Sequence, residues 1–475
     1  MGPLTYVVLF GWPLVVVYLF RWLPTGWAFP LSYVMGFLFL PQAVFPIPGF
    51  PPYTRMAATA LGVLAATLLF DVKRFQKFRF SWLDVPIVIW CVCPFASSVT
   101  NDLGWYDGFR AASDQIMGWG VSYFLGRIYL QELEVFRKLS ILIILGALVY
   151  VPFGLYEFHT GPVVHQKIYG FSVAGYLGAM RAHGYRPTVF LVSGLMVGIW
   201  MMMATMLGFW LWKTGVIRKL WGIHIKWFMG IITFAFILSQ SMSALVSAVV
   251  GVTLLFVSRW IRTSFLILIL IVALPTYLYF PCTGNLDVDS ILSATTAAFG
   301  PDRSSSLGTR LNAEKLLTAK ARQRMIWGWG GWGRSRVQND RGEDLVVTDS
   351  LWVIAYGANG MVGLVSFTVW LLLPTLSFML YFPAYLWDNR RLAPVAVMAV
   401  ILPFYMLDCI LNSMPNPIIM IINGGINTLV LIRAGSLERD IGVDLLIAEH
   451  YMNEQQQFQS RLPASVQFNQ HSPEN

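Results

Sequence analysis

Apolar residues gather in long runs along this chain, near positions 4–20, 31–47, 56–70, 83–99, 114–126, 139–156, 188–211, 227–240, 242–258, 264–280, 357–384, 393–411 and 417–433. Most of these runs approach the 17 to 25 residues that cross a bilayer's hydrocarbon core. In lipid such segments must satisfy their own backbone as helices. The pattern predicts an all-α, polytopic transmembrane helical bundle of about 12–13 spans. The run at 114–126 is the shortest, and those at 227–240 and 242–258 crowd together. One gap breaks the rhythm: residues 281–356 form a long loop between late spans, far beyond the usual length of a connection. The chain therefore divides into spans with short loops (1–280), the long loop (281–356), closing spans (357–433) and a polar tail (434–475).

Composition agrees with a membrane setting. Of 475 residues 56% are hydrophobic and 12% charged, against about 25% charged in a soluble domain. The net charge of +9 matters less than where Lys and Arg fall. They cluster in five connectors: Lys73, Arg74, Lys77 and Arg79; Arg127, Arg137 and Lys138; Lys213, Arg218, Lys219 and Lys226; Arg259 and Arg262; Arg390 and Arg391. Two spans separate each connector from the next, so one topology puts all five, and the C-terminus, in the cytoplasm by the positive-inside rule. Residues 100–113, 157–187, Ser239–Ser243, 281–356 and 412–416 then face the opposite side. That placement makes nucleic acid a poor partner for the charge. Cys91, Cys93, Cys282 and Cys409 lack the spacing of a metal-ligand set or a disulfide framework, so neither a metal nor a cofactor is expected. Met1–Phe20 has no basic residue ahead of its apolar run, and Arg21 follows it, so it reads as a retained span. The tail carries a short amphipathic helix to about Asn453 and then a Gln-, Ser- and Pro-rich end, partly disordered.

Candidate chemistry gathers on the outward side. In the long loop, Thr309–Trp327 (TRLNAEKLLTAKARQRMIW) fits a cationic helix carrying Arg310, Lys315, Lys320, Arg322 and Arg324, capped by Ser306 or Thr309. GWGGWGRSR follows at Gly328–Arg336. Its glycines let the backbone approach a ligand closely, Trp329 and Trp332 suit a sugar face or a membrane interface, and Arg334 and Arg336 add charge. Gly-rich turns with Trp also serve as plain interface loops. Asp349, in TDSLWVIAYGANGMVGLVSF, stands at a water boundary, where a carboxylate acts as a base or caps the next helix. Arg181 and Arg186 in MRAHGYRPTVFLVSG precede a long span, placed for an anion or for lipid headgroups; His183 between them reads as a solvated loop side chain. Asp287 and Asp289 in LDVDS form a DxD pair, a weak metal-site candidate.

Taken together these segments resemble the O-antigen ligase and Wzy-type polysaccharide polymerase superfamily. The resemblance spans about residues 140–430. It rests on the order of spans, long loop and closing spans; on RAHGYRPTVF; on GTRLNAEKLL leading to IWGWGGWG; and on TDSLWVIAYGANGMVG with Gly360 and Gly363. Two positions depart from the ligase pattern: Asp349 stands where His is usual, and Ser239-Gln240-Ser241-Met242-Ser243 lacks the arginine of a Ser-Arg-Gly corner. The resemblance thus leans to an exopolysaccharide polymerase-like member. It implies a bacterial inner-membrane glycosyltransferase that polymerises or ligates polyprenyl-diphosphate-linked glycans on the periplasmic face. Its partners would be that lipid-linked glycan, the lipid bilayer and other polysaccharide export proteins. Arg310, with Arg186 and Arg181, would hold the diphosphate without a metal, Asp349 would take the acceptor's proton, and Trp329 and Trp332 would stack on sugar rings. The alternatives are a transporter or flippase of lipid-linked sugars and a non-catalytic component of a polysaccharide export complex. Ionisable residues within the spans are scarce, Asp408 being the main case, which disfavours transport.

Overall fold

The computed structural model describes residues 1–435 apart from 77, 174, 182, 183 and 347–349. A helix overlaps each of the thirteen apolar stretches, and the chain is a multi-pass, all-α membrane bundle. Among the described residues, eight helices are long and apolar enough to cross a membrane, and Arg55–Phe70, Ile225–Leu238 and Pro417–Arg433 are shorter apolar ones. Gly194–Lys213 and Ala393–Leu411 are buried almost all round, so they form the centre; Pro3–Trp22, Met242–Trp260 and Phe265–Thr283 turn most of their surface outward. Trp200, Trp352, Trp370 and Tyr405 fill the core.

Three elements differ from the pattern. The stretch at 31–47 is a helix over Thr25–Phe39 followed by a hairpin, Phe45–Ile47 with Phe50–Tyr53. Pro41, Pro46, Pro48, Pro51 and Pro52 lack the N–H that a continuing helix needs. The hairpin packs on the first helix, where Tyr53 stacks on Phe10 at 4.8 Å and donates to the Leu9 carbonyl. The short stretch at 114–126 belongs to a longer run, Trp105–Gln115 then a π-helical segment Ile116–Gly120 then Val121–Tyr129. The loop helix expected at 309–327 runs instead over Pro301–Arg322. Gly300 at φ +85° ends the helix Val288–Phe299, and Pro301 starts the new one. Ser306 and Thr309 therefore lie inside that helix rather than capping it. The amphipathic helix expected near Asn453 lies outside the described residues.

The five basic connectors share one end of the bundle. Arg127 donates to the Arg79 carbonyl, Arg259 pairs with Asp388 at 2.6 Å, and Glu132, Arg137, Gly215, Arg390 and Arg391 line one cavity. Loops from the alternating connections meet at the other end: Thr188 reaches Glu157, Arg186 reaches Gln240, Asn101 reaches Gly328, and Leu351 reaches Asn412. Two spans between successive connectors produce this sorting.

At the basic end a buried ion pair joins three helices. Arg127 and Asp84 are both 2% exposed, with Arg127 Nε 2.8 Å from Asp84 Oδ1. Tyr123 also donates to Asp84, Asn427 donates to Tyr123, and Arg127 donates to Thr428. Removing one partner of such a pair costs about 3–5 kcal/mol because the other charge stays buried, whereas replacing both is often near neutral. Arg127→Leu is expected to lower the unfolding temperature in detergent sharply, and Arg127→Leu with Asp84→Leu to recover most of the loss. Thermal unfolding of the three proteins checks this.

Candidate functional site

The end opposite the basic connectors holds the residues singled out in the sequence. Met180–Arg181 pairs with Gly184–Tyr185 in a two-residue ribbon, and Arg186 follows it. The Arg186 amide donates to the Ala179 carbonyl, and its side chain lies across Gly194, where a Cβ would come within 2.1 Å of Arg186 Cγ. Only glycine leaves room there. Beyond it, Arg186 Nη2 donates to the Gln240 carbonyl at 3.0 Å, in the turn between helices Ile225–Leu238 and Met242–Trp260. Arg186 Nε is buried and has no partner among the described residues.

Glu157, fully buried at the end of helix Leu133–Thr160 away from the basic connectors, holds this loop in place. One carboxylate oxygen accepts from the Val164 amide at 2.8 Å; the other accepts from Thr188 and Val189 at 2.8 and 2.7 Å. Val189 takes a positive φ of 54° at that turn. The carboxylate thus ties both arms of the loop to one helix end, two residues beyond Arg186. Glu157 falls just past the apolar run 139–156, and only the helix's continuation to Thr160 brings this acid into the buried part of the bundle.

Arg310 is exposed on helix Pro301–Arg322. Burial, together with the nearby charges of Arg181 and Arg310, pushes the Arg186 guanidinium down to about 10. Arg181, on the same loop, and Arg310, from the long loop, thus lie near enough for their charges to act on Arg186. Carboxylates stand beside them. Glu314, one turn along from Arg310, is buried and accepts from Ser350 at 3.1 Å and Tyr277 at 3.3 Å; burial raises its pKa. Asp408, near the end of helix Ala393–Leu411 and within reach of Arg310's charge, accepts from Asn412 at 2.7 Å through Oδ1. Its Oδ2 is buried and unpartnered among the described residues. Asp349 and His183 lie outside the described residues. The flanking Ser350 bonds to Glu314, and the Leu351 amide to the Asn412 carbonyl.

The Gly-Trp segment serves a different purpose from a ligand cradle. Helix Leu351–Tyr381 breaks at Gly360, with φ +66° and ψ −163°, and the carbonyls this frees are taken by the segment. The Trp329 amide donates to Gly357, and the Gly330 amide to Ala358 and to Ser97 Oγ. Asn101 closes the joint by donating to the Gly328 carbonyl. With the Gly328 amide bonded to Arg324, the amides at 328–330 are all occupied within the protein. The Trp329 indole donates to the Lys320 carbonyl, and the cations of Lys320 and Arg324 lie 5.4 and 5.7 Å from its ring. Arg336 pairs with Asp344 at 2.8 Å, while Arg334 is exposed on the short helix Trp332–Ser335, which Trp332 begins. Lys320 is ten residues from Arg310 on one helix, about 15 Å along its axis. So Arg181, Arg186 and Arg310 converge, whereas Trp329 and Arg336 belong to a joint at the far end of that helix. Asp287, of the DxD pair, caps helix Val288–Phe299 by accepting from the Ser290 amide and hydroxyl.

Glu157→Ala leaves three amides without their acceptor, at roughly 1–3 kcal/mol for each that stays buried. Faster deuterium uptake at Val164, Thr188 and Val189 is expected, with uptake near Asp84 and Arg127 unchanged.

Comparison of the chain with protein-family models and with curated proteins gives no match.

Proposed function

We propose that the protein is a membrane glycosyltransferase that polymerises or ligates glycans carried on polyprenyl diphosphate, acting at the face opposite its basic connectors. The observation that carries this reading is the proximity of Arg181 and Arg310 to Arg186, which is half-buried and has a buried, unpartnered Nε among the described residues. Three guanidiniums beside two carboxylates leave an excess of positive charge, and Arg presents the planar fork that binds phosphate oxygens in pairs. A diphosphate balances that excess, and the resemblance of the surrounding motifs to polysaccharide polymerases supplies its glycan and lipid.

In this reaction the acceptor hydroxyl oxygen attacks the anomeric carbon of the donor sugar. The bond from that carbon to the diphosphate oxygen breaks, and the diphosphate leaves with the electron pair. The arginines stabilise the charge that grows on it. A carboxylate takes the acceptor's proton, the role assigned to Asp349 by the resemblance. Bacterial inner membrane, periplasmic face and cytoplasmic C-terminus follow from the same reading and the positive-inside rule.

Arg310→Ala and Arg186→Ala are each expected to abolish polymer while leaving the amount of protein in the membrane unchanged. Lipid extracts should then accumulate the carrier-linked glycan, as single units for a polymerase and as finished polymer for a ligase. Full polymer from both variants refutes the reading. The pH dependence has a definite sign. Arg186 loses its proton as pH rises through about 10, well below the usual arginine range, so affinity for inorganic pyrophosphate should fall across that value. Titration of the purified protein with pyrophosphate between neutral pH and that region measures the change.

A further inference from the structure

Away from the arginine site, a cavity of about 340 Å³ lies between helices Arg55–Phe70, Val85–Thr100 and the run 105–129. Its wall is apolar and formed by Leu64, Ile87, Val88, Val92, Ile116 and Phe124. Val88 is 44% exposed, Val92 49% and Ile116 43%, so the opening faces sideways, where a membrane helix meets lipid. The π-helical segment Ile116–Gly120 forms one side, through Ile116 and Gly120. Asp84 and Tyr123 border the floor, but their polar atoms are taken by Arg127 and by each other. An apolar space without polar partners does not hold ordered water.

The segment at the mouth is basic. Phe75 and Phe78 pack on Phe124 with ring centroids 6.0 and 4.9 Å apart, which holds these two residues beside the cavity. Arg79 lies between the lining residues Phe78 and Phe80 and is exposed, as is Lys73. Arg74 is paired with Asp71; Lys73 and Arg79 have no acidic partner among the described residues. An apolar slot open to lipid, with exposed Arg79 between two of its lining residues and exposed Lys73 on the same segment, matches one class of molecule.

We infer that this cavity holds one acyl chain of an anionic phospholipid, whose phosphate headgroup is met by Lys73 and Arg79. The inference stands apart from the proposed glycan chemistry, because none of these residues belongs to the arginine cluster. The test uses the full chain in phosphatidylcholine vesicles containing a trace of phosphatidylglycerol or phosphatidylcholine with a photoactivatable diazirine acyl chain. Crosslinks to the phosphatidylglycerol probe should concentrate in peptides covering 78–92 and 116–124. They should exceed those of the phosphatidylcholine probe by at least about fivefold, the effect of one basic residue at an anionic surface. Lys73→Gln with Arg79→Gln, both on the surface, should remove that preference. Val88→Trp or Val92→Trp, placed at the exposed mouth, should remove the crosslinks in both peptides while those to helix Pro3–Trp22 persist. Three outcomes overturn the inference: labelling spread evenly over all lipid-facing helices, equal labelling by the two headgroups, or displacement by an equimolar polyprenyl phosphate but not by unlabelled phosphatidylglycerol.

Discussion

Lipid offers no hydrogen-bond partner, so every polar group that this bundle buries must be answered from within the protein. That constraint decides which parts of the chain meet. Asp84 alone in the apolar interior would carry a large desolvation cost. With Arg127, Tyr123, Asn427 and Thr428 around it, the same carboxylate becomes a clamp between helices more than 300 residues apart in sequence. Glu157 works the same way at the opposite end, except that its partners are backbone amides of its own following loop. Arg55, 6% exposed, finds the carbonyl of Phe37 on the neighbouring helix. A charge buried in this setting is costly unless it is shared, and sharing makes it specific.

The break at Gly360 follows the same logic with uncharged groups. A helix interrupted inside an apolar bundle exposes carbonyls that nothing in the bilayer can satisfy, and the Gly-Trp segment supplies the missing donors. A Cβ at Gly360 would stand 2.2 Å from the Ile326 carbonyl oxygen, so the joint requires glycine for space as well as for its positive φ. The consequence reaches beyond the joint. Docking residues 328–330 on this broken helix anchors the C-terminal end of helix Pro301–Arg322, while the Glu314–Ser350 bond anchors its middle. Arg310 is thereby carried to the corner where Arg186 already waits.

Periodicity and length made the helices legible, because an apolar run in lipid has few conformations open to it. Proline chemistry was just as visible at residues 41–52, yet the unbroken hydrophobicity of that stretch hid the hairpin. The start of the loop helix at Pro301 depended on a single glycine in a left-handed conformation, against a Ser- and Thr-rich stretch that offers caps anywhere. Of the candidate site, the arginines were legible as charges at outer boundaries, and their convergence was not, since it depends on loops folded back by Glu157 and by the Gly360 joint. GWGGWG shows the opposite limit. Its composition fits ligand approach and helix packing equally, and only the bonded partners of its amides separate the two.

Gathering like charges works against folding, so Arg181, Arg186 and Arg310 stay together only because other interactions hold their loops. Each guanidinium arrives on a different support: a two-residue ribbon, a turn pinned by a buried carboxylate, and a helix locked at its middle and far end. None of these supports uses the arginine it carries as its main fastening. Arg186 has one bonded nitrogen and a buried one left over, a state that packing alone would not select. In the proposed reaction the diphosphate would relieve this repulsion. Supports and charges are therefore largely separable: Glu157 holds the backbone of the loop that carries Arg186 through three amides, whereas Arg186 adds one side-chain bond, to the Gln240 carbonyl.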